Sequence, residues 1–341
     1  MTPVIVVHDL VKTYPDGTQA VKGISFDVEE GEFFGFLGPN GAGKSTTIKM
    51  LITLLHKTSG TIQVMGMDVT AKTDDIRRLI GYAAQDIGVD DDLTGRENLI
   101  LQGRLYHMDQ TLLHKRTNEL LELMDLSDDA HRLAGSYSGG MRKRLDLATG
   151  LMHRPRVLFL DEPTTGLDPQ NRANLWVYLE RLNKQEKLTI FLTTHYMEEA
   201  DKLCQRLAII DHGELKTIGS PTQLKQEVGG DVIALHFGAN GQSIQEQRDK
   251  AQEVLANAHF VSGVDLIEEG VNVYASNGGA VVPELLHMLN QSGLRVAQLS
   301  LTSPSLDDVF LKHTGSKIRD EAPNQNWRNT QGPFARRRRG S

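Results

Sequence analysis

The run Gly38-Pro39-Asn40-Gly41-Ala42-Gly43-Lys44-Ser45 matches the full Gly-x4-Gly-Lys-Ser pattern of a phosphate-binding loop. Its glycines let backbone N–H groups wrap closely around phosphate, and the positive end of a following helix adds to that cradle. Lys44 offers an ammonium between β- and γ-phosphates, Ser45 a hydroxyl for Mg2+, and Thr46 extends the contact. A second chemistry-bearing pair, Asp161 and Glu162, closes the apolar run Val157–Leu160. Mg2+ prefers oxygen ligands, so Asp161 is a candidate metal ligand, directly or through water. Glu162, one residue on, is the candidate general base that polarises water for in-line attack on the γ-phosphorus.

Positioning these groups takes a strand before each. The apolar Phe33–Leu37 precedes the loop, and Ile48, Leu51, Ile52 and Leu55 fall at helical spacing after it, predicting a helix over Ser45–Leu55. Strands are expected at Val4–Val7, Gly23–Val28 and Glu32–Leu37, and helices at Leu112–Met124 and Asn171–Leu182. The short continuous apolar runs Val157–Leu160, Thr189–Leu192 and Leu207–Ile210 suit strands covered on both faces, as in a parallel sheet. In such a sheet the C-terminal end of a buried strand delivers Asp161 beside the phosphate loop.

Further marks stand in order around these two motifs: Tyr14, Gln85, Tyr137-Ser138-Gly139-Gly140-Met141, Gly166-Leu167-Asp168 and His195. Together they resemble the motif series of ATP-binding cassette (ABC) ATPases. Thr193-Thr-His-Tyr-Met-Glu-Glu-Ala-Asp201 and Ser305-Leu-Asp-Asp-Val-Phe310 are similar to the daunorubicin-resistance-type subfamily of multidrug and antibiotic exporters. The resemblance implies a phosphate-loop NTPase fold: a RecA-like α/β core, an antiparallel β subdomain and a helical subdomain beginning near Thr94–Leu99. It implies that Tyr14 stacks on adenine, that Gln85 is the lid glutamine touching Mg2+ or the attacking water, and that His195 contacts the γ-phosphate. It further implies that Ser138, Gly139 and Gly140 face the γ-phosphate of a second copy's ATP, and that Asp168 lies at the subunit interface. Tyr137 and Met141 depart from the Leu and Gln of many relatives, whereas the serine and both glycines are kept.

After Gly219-Ser220-Pro221 and Gly229-Gly230 the pattern changes to strand 232–237, helix 243–258, strands 264–267 and 271–275, helix 282–291 and strand 295–301. That βαββαβ order predicts a small α+β, ferredoxin-like domain. The expected division is a nucleotide-binding domain over 3–225, an accessory domain over 230–312 and a basic, disordered tail over 313–341. The tail holds Lys317, Arg319, Arg328 and Arg336–Arg339 against Asp320 and Glu321, a candidate contact for anionic lipid.

The 341 residues, 39% hydrophobic and 24% charged, support packed cores, and the net charge of −7 argues against general nucleic-acid binding. One cysteine, Cys204, excludes an intrachain disulfide and reads as packing. No Cys/His cluster has zinc spacing, no charge-free stretch reaches membrane-spanning length, and the first residues carry no signal-peptide pattern. The implied function is the ATPase subunit of an exporter, peripheral on the cytoplasmic side of the membrane. It would work as an ATP-bound homodimer on a separately encoded permease. The alternatives are a soluble ABC ATPase acting on ribosomes or DNA, or a nucleotide-sensing module. A single cassette, the short interval from Lys44 to Ser138, and the presence of Glu162 and His195 disfavour these in turn.

Overall fold

The computed structural model describes residues 3–238, 243–256, 258–267 and 269–314. From the N-terminus, β1 (Pro3–Thr13), β2 (Gln19–Glu29) and β3 (Phe33–Leu37) lead to α1 (Lys44–Leu51). Then come β4 (Ser59–Val64), β5 (Met67–Asp68), α2 (Thr73–Arg77), β6 (Ile80–Ala83), α3 (Gly95–Leu105), α4 (Gln110–Leu123) and α5 (Gly139–Gly150). The chain next alternates through β7 (Val157–Asp161), α6 (Pro169–Glu186), β8 (Thr189–Thr194), α7 (Met197–Leu203), β9 (Arg206–Asp211), β10 (Glu214–Gly219) and α8 (Pro221–Val228). It closes with β11 (Asp231–Phe237), α9 (Ile244–Ala256), β12 (Val261–Ile267), β13 (Gly270–Ala275), α10 (Gly278–Gln291), β14 (Val296–Thr302) and α11 (Leu306–Thr314).

Three sheets result among the described residues: β2-β1-β4-β5, β10-β9-β3-β8-β7-β6 and β12-β13-β11-β14. In the second, β9, β3, β8, β7 and β6 pair in parallel, and β10 adds an antiparallel edge. Strand alternation sends side chains to opposite faces. Accordingly Phe33 and Leu37 enter one core with the helices, while Phe34 and Phe36 enter another with the first sheet. On that second side Phe26, Phe34, Phe36, Phe159 and Phe191 cluster, with ring centroids 5.5–6.0 Å apart. The expected RecA-like core, antiparallel β layer and helical segment (α3 to α5) are therefore all present.

Boundaries shift where backbone conformation overrides periodicity. The helix expected over Ser45–Leu55 ends at Leu51. Thr53 turns left-handed at φ 65, and the amides of Thr53 and Leu54 close back on the Met50 and Lys49 carbonyls. Strand β1 runs on to Thr13 with a register shift between Val7 and Leu10, around Asp9 at φ 48.

The β12-β13-β11-β14 order, with every pairing antiparallel and α9 and α10 supplying its core, is the ferredoxin-like arrangement. Helix α11 behaves differently. Its Leu306, Val309 and Phe310 are buried in the core of the large sheet with Leu203 and Leu224 of α7 and α8. The chain thus leaves the nucleotide-binding fold, builds a small sheet, and returns a helix to the first core. Of the basic tail read over 313–341, only His313 and Thr314, the end of α11, lie within the described residues.

Candidate nucleotide site

The phosphate loop leaves the C-terminal end of β3, between β8 and β9. Gly41 and Gly43 take φ of 81 and 103, and a Cβ on Gly43 would collide with the Ala20 carbonyl, so both turns require glycine. Lys44 opens α1 and is 4% exposed; its Nζ donates to the Gly38 and Pro39 carbonyls at 2.8 and 3.0 Å. The same ammonium lies 3.0 Å from Glu162 Oε1. Pro39, Asn40 and Ala42 shape the loop, where the Ala42 amide donates to the Pro39 carbonyl.

Parallel register brings the acidic pair to this loop. Asp161 is the last residue of β7 and stands opposite Thr193 of β8, whose neighbour Thr194 pairs with Leu37. Asp161 Oδ1 accepts from Ser45 Oγ at 3.1 Å and from Thr193 Oγ1 at 2.6 Å. Glu162 follows at φ 48, a left-handed backbone held by its amide donating to the Thr193 carbonyl. Its Oε2 faces His195 Nδ1 at 3.1 Å and accepts from Thr165 Oγ1 at 3.3 Å. Burial alone would raise this carboxyl, but the His195 hydrogen bond and the Lys44 charge outweigh it and bring the pKa down to about 2.

Tyr14 sits just past β1, where its Oη is 3.3 Å from Thr46 Oγ1 and Lys12 lies over its ring. The structure therefore gathers Tyr14, the loop, Thr46, Asp161, Glu162 and His195 at one sheet edge. Thr193 and Thr165 belong to that cluster too. The Thr193-Thr194-His195 triplet was the available sequence signal for Thr193, but register alone gives that hydroxyl its partner.

The signature residues form a second surface. Ser138 caps α5, accepting from the Met141 amide, and Ser138 and Gly139 are exposed. Gly140 packs so tightly on Asn171 that a Cβ would overlap its amide, and Asn171 Nδ2 donates to Asp168 Oδ2 at 2.6 Å. Asp168 caps α6 through the Asn171 amide, a hydrogen bond that lowers its pKa. Tyr137, in place of leucine, is buried beneath Gly95 and donates to the Asp129 carbonyl at 2.6 Å; Met141 packs on the same core. The two departures thus fill space and leave the serine–glycine face unchanged. Gln85 lies exposed beyond β6, and its side chain makes no hydrogen bond with the phosphate loop among the described residues.

Among the described residues no group of three or more His, Cys, Asp or Glu could hold a metal ion. The adjoining Ser45 hydroxyl and Asp161 carboxylate are hard oxygen donors suited to Mg2+, which keeps water and phosphate as its remaining ligands. No helix among the described residues is long and apolar enough to cross a membrane.

Residues 21–165 match the ABC transporter family, and residues 219–314 match the C-terminal domain of DrrA1-3-like ATP-binding proteins. The chain is 40% identical to the daunorubicin/doxorubicin resistance ATP-binding protein DrrA of Streptomyces peucetius, over 94% of this chain and 95% of that one. It is 38% identical to the linearmycin resistance ATP-binding protein LnrL of Bacillus subtilis, covering 92% and 99%. Against the Nod factor export ATP-binding protein I of Burkholderia lata the identity is 39%, covering 88% and 93%. Among solved structures, cbiO1 of Clostridium perfringens, part of the ABC transporter complex cbiONQ, aligns at a TM-score of 0.63 and 26% identity, covering 67% of this chain and 92% of that one. The ATP-binding cassette MJ0796, a dimer bound to ADP and Pi, aligns at 0.58 and 28%, covering 63% and 98%. On its sequence and its fold, the chain belongs to the ATP-binding, ATP-hydrolysing subunits of ABC transporters, in their daunorubicin-resistance-type exporter branch.

Proposed function

We propose that two copies of this chain close head to tail on two ATP molecules and drive export through a separately encoded permease. The observation that carries this reading is the division of the site into two surfaces. Lys44, Asp161, Glu162 and His195 converge at one edge, while the exposed serine–glycine face of α5 makes no hydrogen bond with the phosphate loop among the described residues. A helix N-terminus with free backbone donors attracts phosphate, so the face on one copy suits the ATP held by another.

In this reading Lys44 binds the β- and γ-phosphates and the loop amides fix their position. Ser45, Asp161 and Gln85 would hold Mg2+, which neutralises developing phosphate charge. Glu162 orients water and takes its proton, His195 holds both Glu162 and the γ-phosphate, and Tyr14 carries the adenine. Asp168, through Asn171, ties the α6 cap to the signature face. Positioning and electrostatics supply most of such catalysis.

The relatives bear names of resistance to daunorubicin and to linearmycin and of Nod factor export, three different cargoes. At similar identity to all three, this chain is read as the motor, with a drug, antibiotic or lipid-like cargo selected by the permease. Leu101, Leu105 and Leu112, exposed on α3 and α4, give an apolar face for that membrane partner, consistent with a peripheral place on the cytoplasmic side. The 3–225 and 230–312 division serves the same reading, with α11 fastening the accessory domain to the motor.

Paired cysteines at Ser138 and at Asn40, the exposed loop residue beside Gly41 whose backbone does not require glycine, test the dimer: ATP with Mg2+ should give an intermolecular cross-link that ADP does not. Absence of that cross-link under both conditions overturns the head-to-tail arrangement.

A further inference from the structure

Helix α5 carries a buried charge pair that the site described above does not use. Lys143 and Asp146 lie three residues apart on one face of the helix and are 4% and 5% exposed. Lys143 Nζ donates to the Ala84 carbonyl at 2.6 Å and the Gln85 carbonyl at 3.4 Å, and stands 3.6 Å from Asp146 Oδ2. Asp146 Oδ1 accepts from the Gly88 amide at 3.0 Å. One helical face therefore grips both ends of the segment 84–88, whose Gln85 and Asp86 are exposed.

Burying two charges is costly, and an apolar pair of similar size would pack the helix as well. What the charges add is direction: an ammonium and a carboxylate together address a loop's carbonyls and its amide, which apolar side chains cannot do. The grip also begins only five residues after Ser138, about 8 Å along a rigid helix. Movement of the signature end is thereby carried to Gln85 without any soft link between them.

We propose that Lys143 and Asp146 are positioning residues: a clamp that fixes the 84–88 loop to the signature helix, so that Gln85 is set over its own nucleotide when Ser138 meets the partner's. This rests on the roles given above to Gln85 and Ser138. Neither clamp residue touches nucleotide.

The test uses the full chain with ATP and Mg2+, measuring kcat and KM for hydrolysis together with hydrogen exchange of the 84–88 amides. Five variants are compared: K143M, the neutral pair K143M/D146N, K143R, Q85A and Q85A/K143M. K143M/D146N keeps an acceptor for Gly88 and leaves no lone buried charge, which guards against simple unfolding. Both K143M and the neutral pair should lower kcat about tenfold with KM within about twofold, and should speed exchange at 84–88 about tenfold. K143R should restore both readouts to within about threefold. Q85A should lower kcat without altering exchange, and adding K143M to it should cost little more, because one function has been removed twice.

Wild-type exchange and turnover in K143M/D146N overturn the clamp, as does a fully additive loss with Q85A. If exchange accelerates while Q85A hydrolyses normally, Gln85's assigned role falls and the coupling with it. That result differs from a failed clamp, where Q85A is defective but exchange at 84–88 does not move.

Discussion

Lys44 and Glu162 form a buried ion pair at 3.0 Å, joining the phosphate-loop cation to the proposed catalytic base. In the proposed reaction the γ-phosphate and Glu162 would compete for one ammonium. A carboxylate held at about 2 is a weak base, and phosphate drawing Lys44 away removes one of the influences that hold it there. In the proposed reaction, substrate binding would itself raise the basicity of the residue assigned to accept the proton.

The variant Glu162→Gln removes both the base and the competitor. ATP affinity should be unchanged or tighter, turnover should fall by about 10²- to 10⁴-fold, and an ATP-bound dimer should accumulate on gel filtration. Steady-state hydrolysis at the wild-type rate would take Glu162 out of the base role.

The same pair makes a pH signature. Because Glu162's folded pKa lies below its ordinary 4.5, its contribution to stability is complete above about 4.5 and is lost as pH falls toward about 2. The difference in unfolding free energy between wild type and Glu162→Gln should shrink across that window, by about 3 kcal/mol at most. A difference that stays flat on acidification contradicts the coupling to Lys44 and His195.

Composite sites predict complementation. Lys44→Ala and Ser138→Arg should each abolish cooperative hydrolysis, since each spoils both sites of a symmetric dimer. Mixed in equal amounts, half the dimers are hybrids with one intact site, so about a quarter of wild-type activity should return. No recovery on mixing would mean that each chain completes its own site.

The proposed adenine stacking on Tyr14 would be worth about 1–3 kcal/mol, so Tyr14→Ala should weaken ATP about 5- to 150-fold by calorimetry. Tyr14→Phe, which keeps the ring and loses only the Thr46 contact, should stay within about threefold. Equal losses in both variants would point to the hydroxyl instead.

Phe310 is 1% exposed in the core of the nucleotide-binding fold, although it follows the accessory sheet in sequence. Phe310→Ala should cost about 3–5 kcal/mol in the unfolding transition that ATP stabilises. A loss confined to a separate, ATP-insensitive transition would place α11's packing with the small domain.

What is local could be read from the chain alone. The glycine–lysine loop was legible because its chemistry lies within eight consecutive residues, and Asp161-Glu162 because an apolar strand announces where it ends. The βαββαβ order was legible too, since each element there has its own period. Thr53 was not: a threonine closes α1 in a left-handed turn where glycine is the usual signal, so periodicity carried the helix four residues too far. Which strands adjoin is set by the three-dimensional packing. Placing β8 between β3 and β7 sets Thr193 against Asp161 and brings Glu162 to Lys44, while the packing of α5 on β6 lays Lys143 beneath the backbone of Gln85. These partners lie tens to more than a hundred residues apart, and no period in the chain records their distance; the packing of two cores against one sheet does.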